Sequence, residues 1–183
     1  IDDFTLIIDM GDFATFSIPD TFINDGDQWR IHGVGTQKCE NAYYGYESDE
    51  TQHNFWIRNG YIEFKKKNFR PKGELYIYRI LSFMTTEGSD FLASTVYDGY
   101  HDLSVDCDEW FGDESITASQ ARILKNLPFA YRGYVFKSKD LQAIFEKAPW
   151  YVPTPGYVPD TRSLTEGERN WVTYWANYKP KVK

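Results

Sequence analysis

The side chains with catalytic or ligating potential are few and scattered. His32, His53 and His101 each fall in a strand-like stretch, and none has a ligand partner at the i+2 or i+4 spacing of a recognisable metal motif. Cys107 lies between Asp106 and Asp108, whose charge disfavours a thiolate, so no nucleophilic role is expected of it. Cys39 and Cys107 are compatible with one disulfide or two free thiols, and structural thiols are the favoured reading. Residues 98–115, DGYHDLSVDCDEWFGDES, crowd the carboxylates Asp98, Asp102, Asp106, Asp108, Glu109, Asp113 and Glu114. Hard cations want such oxygens, but the EF-hand spacing is not met, so a solvated acidic linker is expected. A pair such as Asp106 and Asp108 could serve acid–base work, yet a wet linker offers no burial to raise a pKa. There is no G-x-S-x-G, P-loop, dinucleotide fingerprint or H-E-x-x-H. The expectation is therefore no catalytic residue, no metal ligand and no cofactor.

What remains is aromatic. With 14 Tyr, 13 Phe and 6 Trp, aromatics make up 18% of the 183 residues, enough to build a sizeable core and leave some rings at the surface. Tyrosine faces stack on sugar rings and are enriched at protein interfaces. The candidate ligand-binding residues are Tyr131, Arg132 and Tyr134 around a central turn, Tyr151 and Tyr157 in a proline-rich strap, and the cluster Tyr43, Tyr44 and Tyr46. The plainer alternative for each is core or edge packing.

The elements that would position them follow from pattern. Residues 1–18 alternate as a β-hairpin about Met10-Gly11-Asp12, and Asp25-Gly26 suits a type I′ turn between TFIN and QWRIHGV. Residues 35–53 read as loop with at most one edge strand. NFWIR-NG-YIEFK, residues 54–65, predicts a second hairpin that places Phe55, Ile57, Ile62 and Phe64 on the core face, Trp56 opposite Glu63, and Arg58 over Tyr61. Residues 74–83 and 90–97 read as longer strands, giving seven or eight strands before residue 100 and an antiparallel sandwich or barrel. Thr117 and Gln120 form a capping box for a helix to about Asn126. Gly133 allows a tight turn in which Phe129, Tyr134 and Phe136 converge, and Ser138 can cap a helix with Leu141, Ile144, Phe145 and Ala148 on one face. Pro149 ends it. The prolines of residues 151–162 make a stiff strap. Ser163, with Glu166, opens a last helix whose stripe is Leu164, Trp171, Val172, Trp175 and Tyr178.

Taken in order, RILKN, FAYRGYVF, LQAIFEKAPWY and LTEGERN resemble the YARHG domain, a small bacterial domain, over roughly residues 117–178. Of the naming motif, Ala130 and Gly133 match, while Phe129 stands for Tyr, Tyr131 for Arg and Arg132 for His. The resemblance implies an extracytoplasmic bacterial protein, secreted, periplasmic or lipid-anchored, and brings no catalytic residues. The fold class expected is α+β, with an antiparallel β domain at 1–112 and a three-helix domain at 113–183.

A net charge of −7 argues against nucleic acid as a partner, since phosphate binding wants a basic face, and KKK at 65–67 is too short to reverse it. No run of apolar residues is long enough to span a membrane, so contact with one is expected only through a lipid anchor removed upstream. The reading favoured is a non-catalytic module that binds cell-wall glycan, peptidoglycan or a protein partner. The alternatives are an envelope hydrolase with Asp102, Asp106 or His101 at the domain junction, and a structural scaffold.

Overall fold

The computed structural model describes residues 1–43, 47–80 and 116–180, which fall into two compact units, Ile1–Leu81 and Ser82–Lys183. The architecture is α+β: a curled antiparallel sheet, a half-barrel, followed by three helices. The expected boundary near residue 112 lies outside the described residues, as do the strand expected at 90–97, the acidic stretch 98–115 and Cys107.

In the first unit the strands are β1 (Asp3–Ile8), β2 (Ala14–Pro19), β3 (Arg30–Tyr43), β4 (Glu47–Lys67) and β5 (Tyr78–Ile80). The long β4 organises the sheet. Along one edge it pairs with β3, and along the other with β1 and then β2, with β5 outside β2. This overturns both hairpins expected from the sequence. β1 and β2 do not pair with each other: Ile8 sits opposite Ile62 and Ala14 opposite Ile57, so residues 9–13 are an outward excursion between two segments of a single interrupted edge. The Phe13 amide rejoins that edge by donating to the Arg58 carbonyl at 3.0 Å.

Asn59-Gly60 is likewise no turn, because β4 continues through it. Opposite Val34 stands Asn59, but opposite Gly35 stands Ile57, which leaves Arg58 as an extra residue in a β-bulge. A two-residue hairpin turn and a one-residue bulge both reverse the alternation of side chains. Phe55, Ile57, Ile62 and Phe64 are therefore all buried on the core face, as expected, although they belong to one strand rather than two. Arg58 and Tyr61 are accordingly not cross-strand neighbours, nor are Trp56 and Glu63. Tyr61 instead stacks on His32 of β3, centroids 4.8 Å apart. Where β4 kinks, the two backbones close up: a Cβ on Gly60 would lie 1.9 Å from the His32 carbonyl oxygen, and one on Gly33 would lie 2.3 Å from that of Asn59. Both glycines have positive φ, so this crossing admits no side chain on either strand.

Of the stretch 35–53, expected as loop, residues 35–43 and 47–53 are instead paired strand, the far half of the β3–β4 ribbon. Its polarity misled because the core cluster ends near Phe55, and a ribbon beyond the core needs no apolar face. In the turn Asn24–Asp27 only Gly26 has positive φ, which excludes type I′, and TFIN is not a strand. Of residues 74–83 only Tyr78–Ile80 is strand among the described residues; five strands are described, and the rest of the stretch expected to hold seven or eight lies outside the described residues. The core gathers Ile8, Phe16, Ile18, Trp29, Phe55, Phe64 and Phe69, with Phe4 stacked on Phe69 and Phe22 meeting it edge-on.

The second unit holds α1 (Ala118–Tyr131), α2 (Lys139–Phe145), a 3₁₀ turn at Thr161–Ser163 and α3 (Glu166–Asn177). The Thr117–Gln120 capping box forms as expected. α1 runs five residues beyond Asn126, through Pro128. A proline lacks the N–H that would bond the carbonyl four residues back. That carbonyl, Leu124, accepts instead from the Trp171 indole of α3 at 2.8 Å, so the helix passes the proline without orphaning a buried acceptor. Ser138 stands at the N-cap of α2 but makes no capping bond; its hydroxyl donates to Asp140 and accepts from Arg122. The last helix is capped by Thr165 and Glu168 rather than Ser163 and Glu166, since Ser163 belongs to the 3₁₀ turn and donates to the Asp160 carbonyl.

Candidate functional site

Within the second unit the residues expected to meet a ligand cluster about the end of α1. The helix closes in a Schellman motif: Gly133, φ +79°, donates to the Ala130 carbonyl at 2.8 Å, and Tyr134 donates to that of Phe129 at 3.0 Å. A turn so closed holds residues 133–136 in one conformation. Three further bonds pin it. The Thr154 amide donates to the Gly133 carbonyl at 2.8 Å, the Tyr151 hydroxyl to the Tyr134 carbonyl at 2.7 Å, and the Phe136 amide to Gln142 Oε1 at 2.8 Å. The strap after Trp150 is thereby tied to the turn.

Rings form a continuous path across this region. Tyr131 lies flat on Trp150, centroids 4.3 Å apart and planes 6° from parallel. Trp150 leads to Phe145 at 6.2 Å, Phe145 stacks on Phe136 at 4.9 Å, and Phe136 meets Tyr134 edge-on at 4.7 Å. Tyr134 meets Tyr157 edge-on at 6.4 Å. Phe136, Phe145 and Trp150 are buried, whereas Tyr131 at one end of the path and Tyr134 and Tyr157 toward the other are half-buried. Val135 and Val158, the next residues along the chain from Tyr134 and Tyr157, are 41% and 76% exposed.

The other candidates play different parts. Tyr151 is buried, its hydroxyl directed inward. Arg132 grips Glu168 with two nitrogens, at 2.7 and 2.8 Å, and also donates to the Pro128 carbonyl at 2.9 Å. Glu168 in turn accepts from the Thr165 amide at 2.8 Å, so one carboxylate caps α3 and receives the fork from α1. Both side chains of this pair are about nine-tenths buried. Tyr44 and Tyr46 lie outside the described residues; Tyr43 ends β3, and its side chain is not described.

Among the described residues of this unit, three groups shift toward the charged form, Asp140, Asp160 and Arg162. The Ser138 hydroxyl and Arg122 hold the Asp140 carboxyl down at about 2. Hydrogen bonds with Arg162 lower Asp160, and the same pair raises Arg162. These are exposed ion pairs that hold charge rather than move protons. His101, Asp102 and Asp106, the suspects for a hydrolytic centre, lie outside the described residues.

The capping box, the aromatic turn, the short helix, the Trp-Tyr stop and the final capped helix occur here in a fixed order. Residues 111–179 match the YARHG domain. The YARHG domain is a domain of extracytoplasmic bacterial proteins, and the matched stretch takes in the whole of α1 and its closing turn. The N-terminal part matches no family. Neither the curated proteins nor the solved structures hold a match to the chain. Among the described residues no helix is long and apolar enough to cross a membrane.

Proposed function

We propose that the YARHG domain is a non-catalytic recognition module of an envelope-associated bacterial protein, secreted or lipid-anchored, and that it binds cell-wall glycan through the tyrosines at the ends of its aromatic path. The observation that carries this reading is the pairing of Tyr134 with Tyr157 on a turn held by a Schellman closure and three cross-bonds, flanked by exposed Val135 and Val158. Rings fixed before binding lose little conformational freedom on meeting a ligand. The charge-holding character of the shifted groups supports binding over catalysis.

Pull-down of the purified chain on insoluble peptidoglycan and on a polysaccharide panel tests it, with Tyr134→Ala and Tyr157→Ala beside the unaltered protein. Saturable binding that falls at least about tenfold in both variants is expected, in line with roughly 1.4 kcal/mol per contact. Retention by no wall or glycan material, or binding indifferent to both changes, overturns the glycan reading and moves the surface to a protein partner. Arg132→Ala is a poor probe here, because losing its grip on Glu168 disturbs the fold before it disturbs a ligand.

A further inference from the structure

Along the chain no histidine has a partner at metal-ligand spacing, yet the fold brings to His53 a partner from β3 and another from just beyond β2. Cys39 and His53 are direct cross-strand neighbours in β3 and β4, so their side chains leave the same face. Ile18 of β2 is in register with His53 from the other side, and Asp20, two residues on, keeps that face. Asp20 Oδ1 lies 3.0 Å from His53 Nε2. One ligand atom from each of Asp20, Cys39 and His53 falls within 4.8 Å of the other two. Tetrahedral bonds of about 2.0–2.3 Å put ligand atoms roughly 3.3–3.7 Å apart, so small side-chain rotations bring the three into coordination.

The surroundings are those of a held site. The Thr51 hydroxyl donates to Asp20 Oδ2, and the Asp20 amide donates to the Thr51 carbonyl at 2.9 Å. The His53 ring stacks on Phe55, centroids 6.1 Å apart. Such outer partners fix the aim of a carboxylate and an imidazole. Asp20 and His53 are half-buried at the place where the core-facing rows of β2 and β4 run out of apolar residues, while Cys39 is a free, exposed thiol. Desolvation raises that thiol, and the carboxylates of Asp20 and Glu40 raise it further; a bound dication would reverse this field. A thiolate, an imidazole and one carboxylate select a borderline cation over calcium or magnesium, which prefer oxygen alone.

We propose that Asp20, Cys39 and His53 form a three-ligand site for zinc or a similar borderline divalent cation, with its fourth position open to solvent beside Cys39. The site belongs to the N-terminal unit and stands independently of the glycan-binding reading.

Cobalt titration of the full chain, reduced and stripped with chelator, tests it. One equivalent of Co²⁺ is expected to give thiolate-to-cobalt charge transfer with tetrahedral ligand-field absorption, displaced by Zn²⁺. Cys39→Ser, a change at an exposed position, is expected to abolish the charge-transfer band while leaving the circular dichroism of the fold intact. Asp20→Asn and His53→Gln are expected to weaken cobalt binding about tenfold or more. No band in the unaltered chain, or a band that survives Cys39→Ser and vanishes with Cys107→Ser, overturns the proposal. So does a Cys39 that resists thiol reagents until the chain is reduced, because a disulfide would remove the sulfur ligand.

Discussion

Arg132, a candidate ligand-binding residue, is tied into the fold by a two-pronged pair with Glu168. It sits beside the closing turn of α1, and its guanidinium reaches Glu168, 36 residues away, and the Pro128 carbonyl. Nothing in the local sequence announces that partner; only the packing of α1 against α3 does. Breaking such a pair leaves a mostly buried carboxylate without its counter-charge. Arg132→Ala is expected to cost about 3 kcal/mol of stability, read from the denaturant midpoint. Arg132→Lys is expected to recover less than half of that loss, since an ammonium cannot reproduce the two-pronged contact. An Arg132→Ala protein as stable as the unaltered one would show the pair to be dispensable. Tyr151 is likewise tied into the fold: its ring is buried and its hydroxyl supports the Tyr134 carbonyl.

At the scale of elements, the helices were legible and the sheet was legible only in its faces. Helix signals are local: the Thr117–Gln120 box and the glycine after α1 hold in the structure, whereas α2 buries Leu141 and Phe145 of its expected stripe and ends at Phe145, before Ala148 and Pro149. The extension of α1 past Asn126 was not legible, because the donor that satisfies Leu124 comes from Trp171. Strand partners are likewise distant. Asn-Gly between alternating apolar residues is a strong hairpin signal, and a bulge imitates it by reversing the same alternation. What separates the two is Gly33, which needs to sit against Gly60 only if the strand continues. Gly60→Ala is therefore expected to destabilise the N-terminal unit by roughly 3 kcal/mol, through a Cβ 1.9 Å from the His32 carbonyl oxygen and a positive φ. A hairpin turn at Asn59-Gly60 would place no backbone there, so a thermal midpoint unchanged in Gly60→Ala would contradict the continuous strand.

For the molecule as a whole, composition set useful bounds. A net charge of −7 gives the chain a field that repels polyanions at neutral pH, and the lysines at 65–67 do not act as an isolated patch: Lys65 pairs with Glu63 at 2.7 Å, and Lys66 pairs with Asp27. Passage through a heparin column without retention at low salt is expected, and retention would reopen nucleic acid as a partner. The two-part organisation, strands and then helices, was legible from the change in periodicity. The metal-binding triad was not, because its members meet only once β2, β3 and β4 are side by side. That arrangement also governs the order in which the first unit can form. β3 and β4 adjoin in the chain and can close on each other early, whereas β1 and β2, made first, have no partner until β4 has been synthesised. The opening segments, with Phe16 and Ile18 destined for the core, must wait as bare strand, so whatever receives the nascent chain has to shield them from sticking elsewhere until the last turn of the ribbon has emerged.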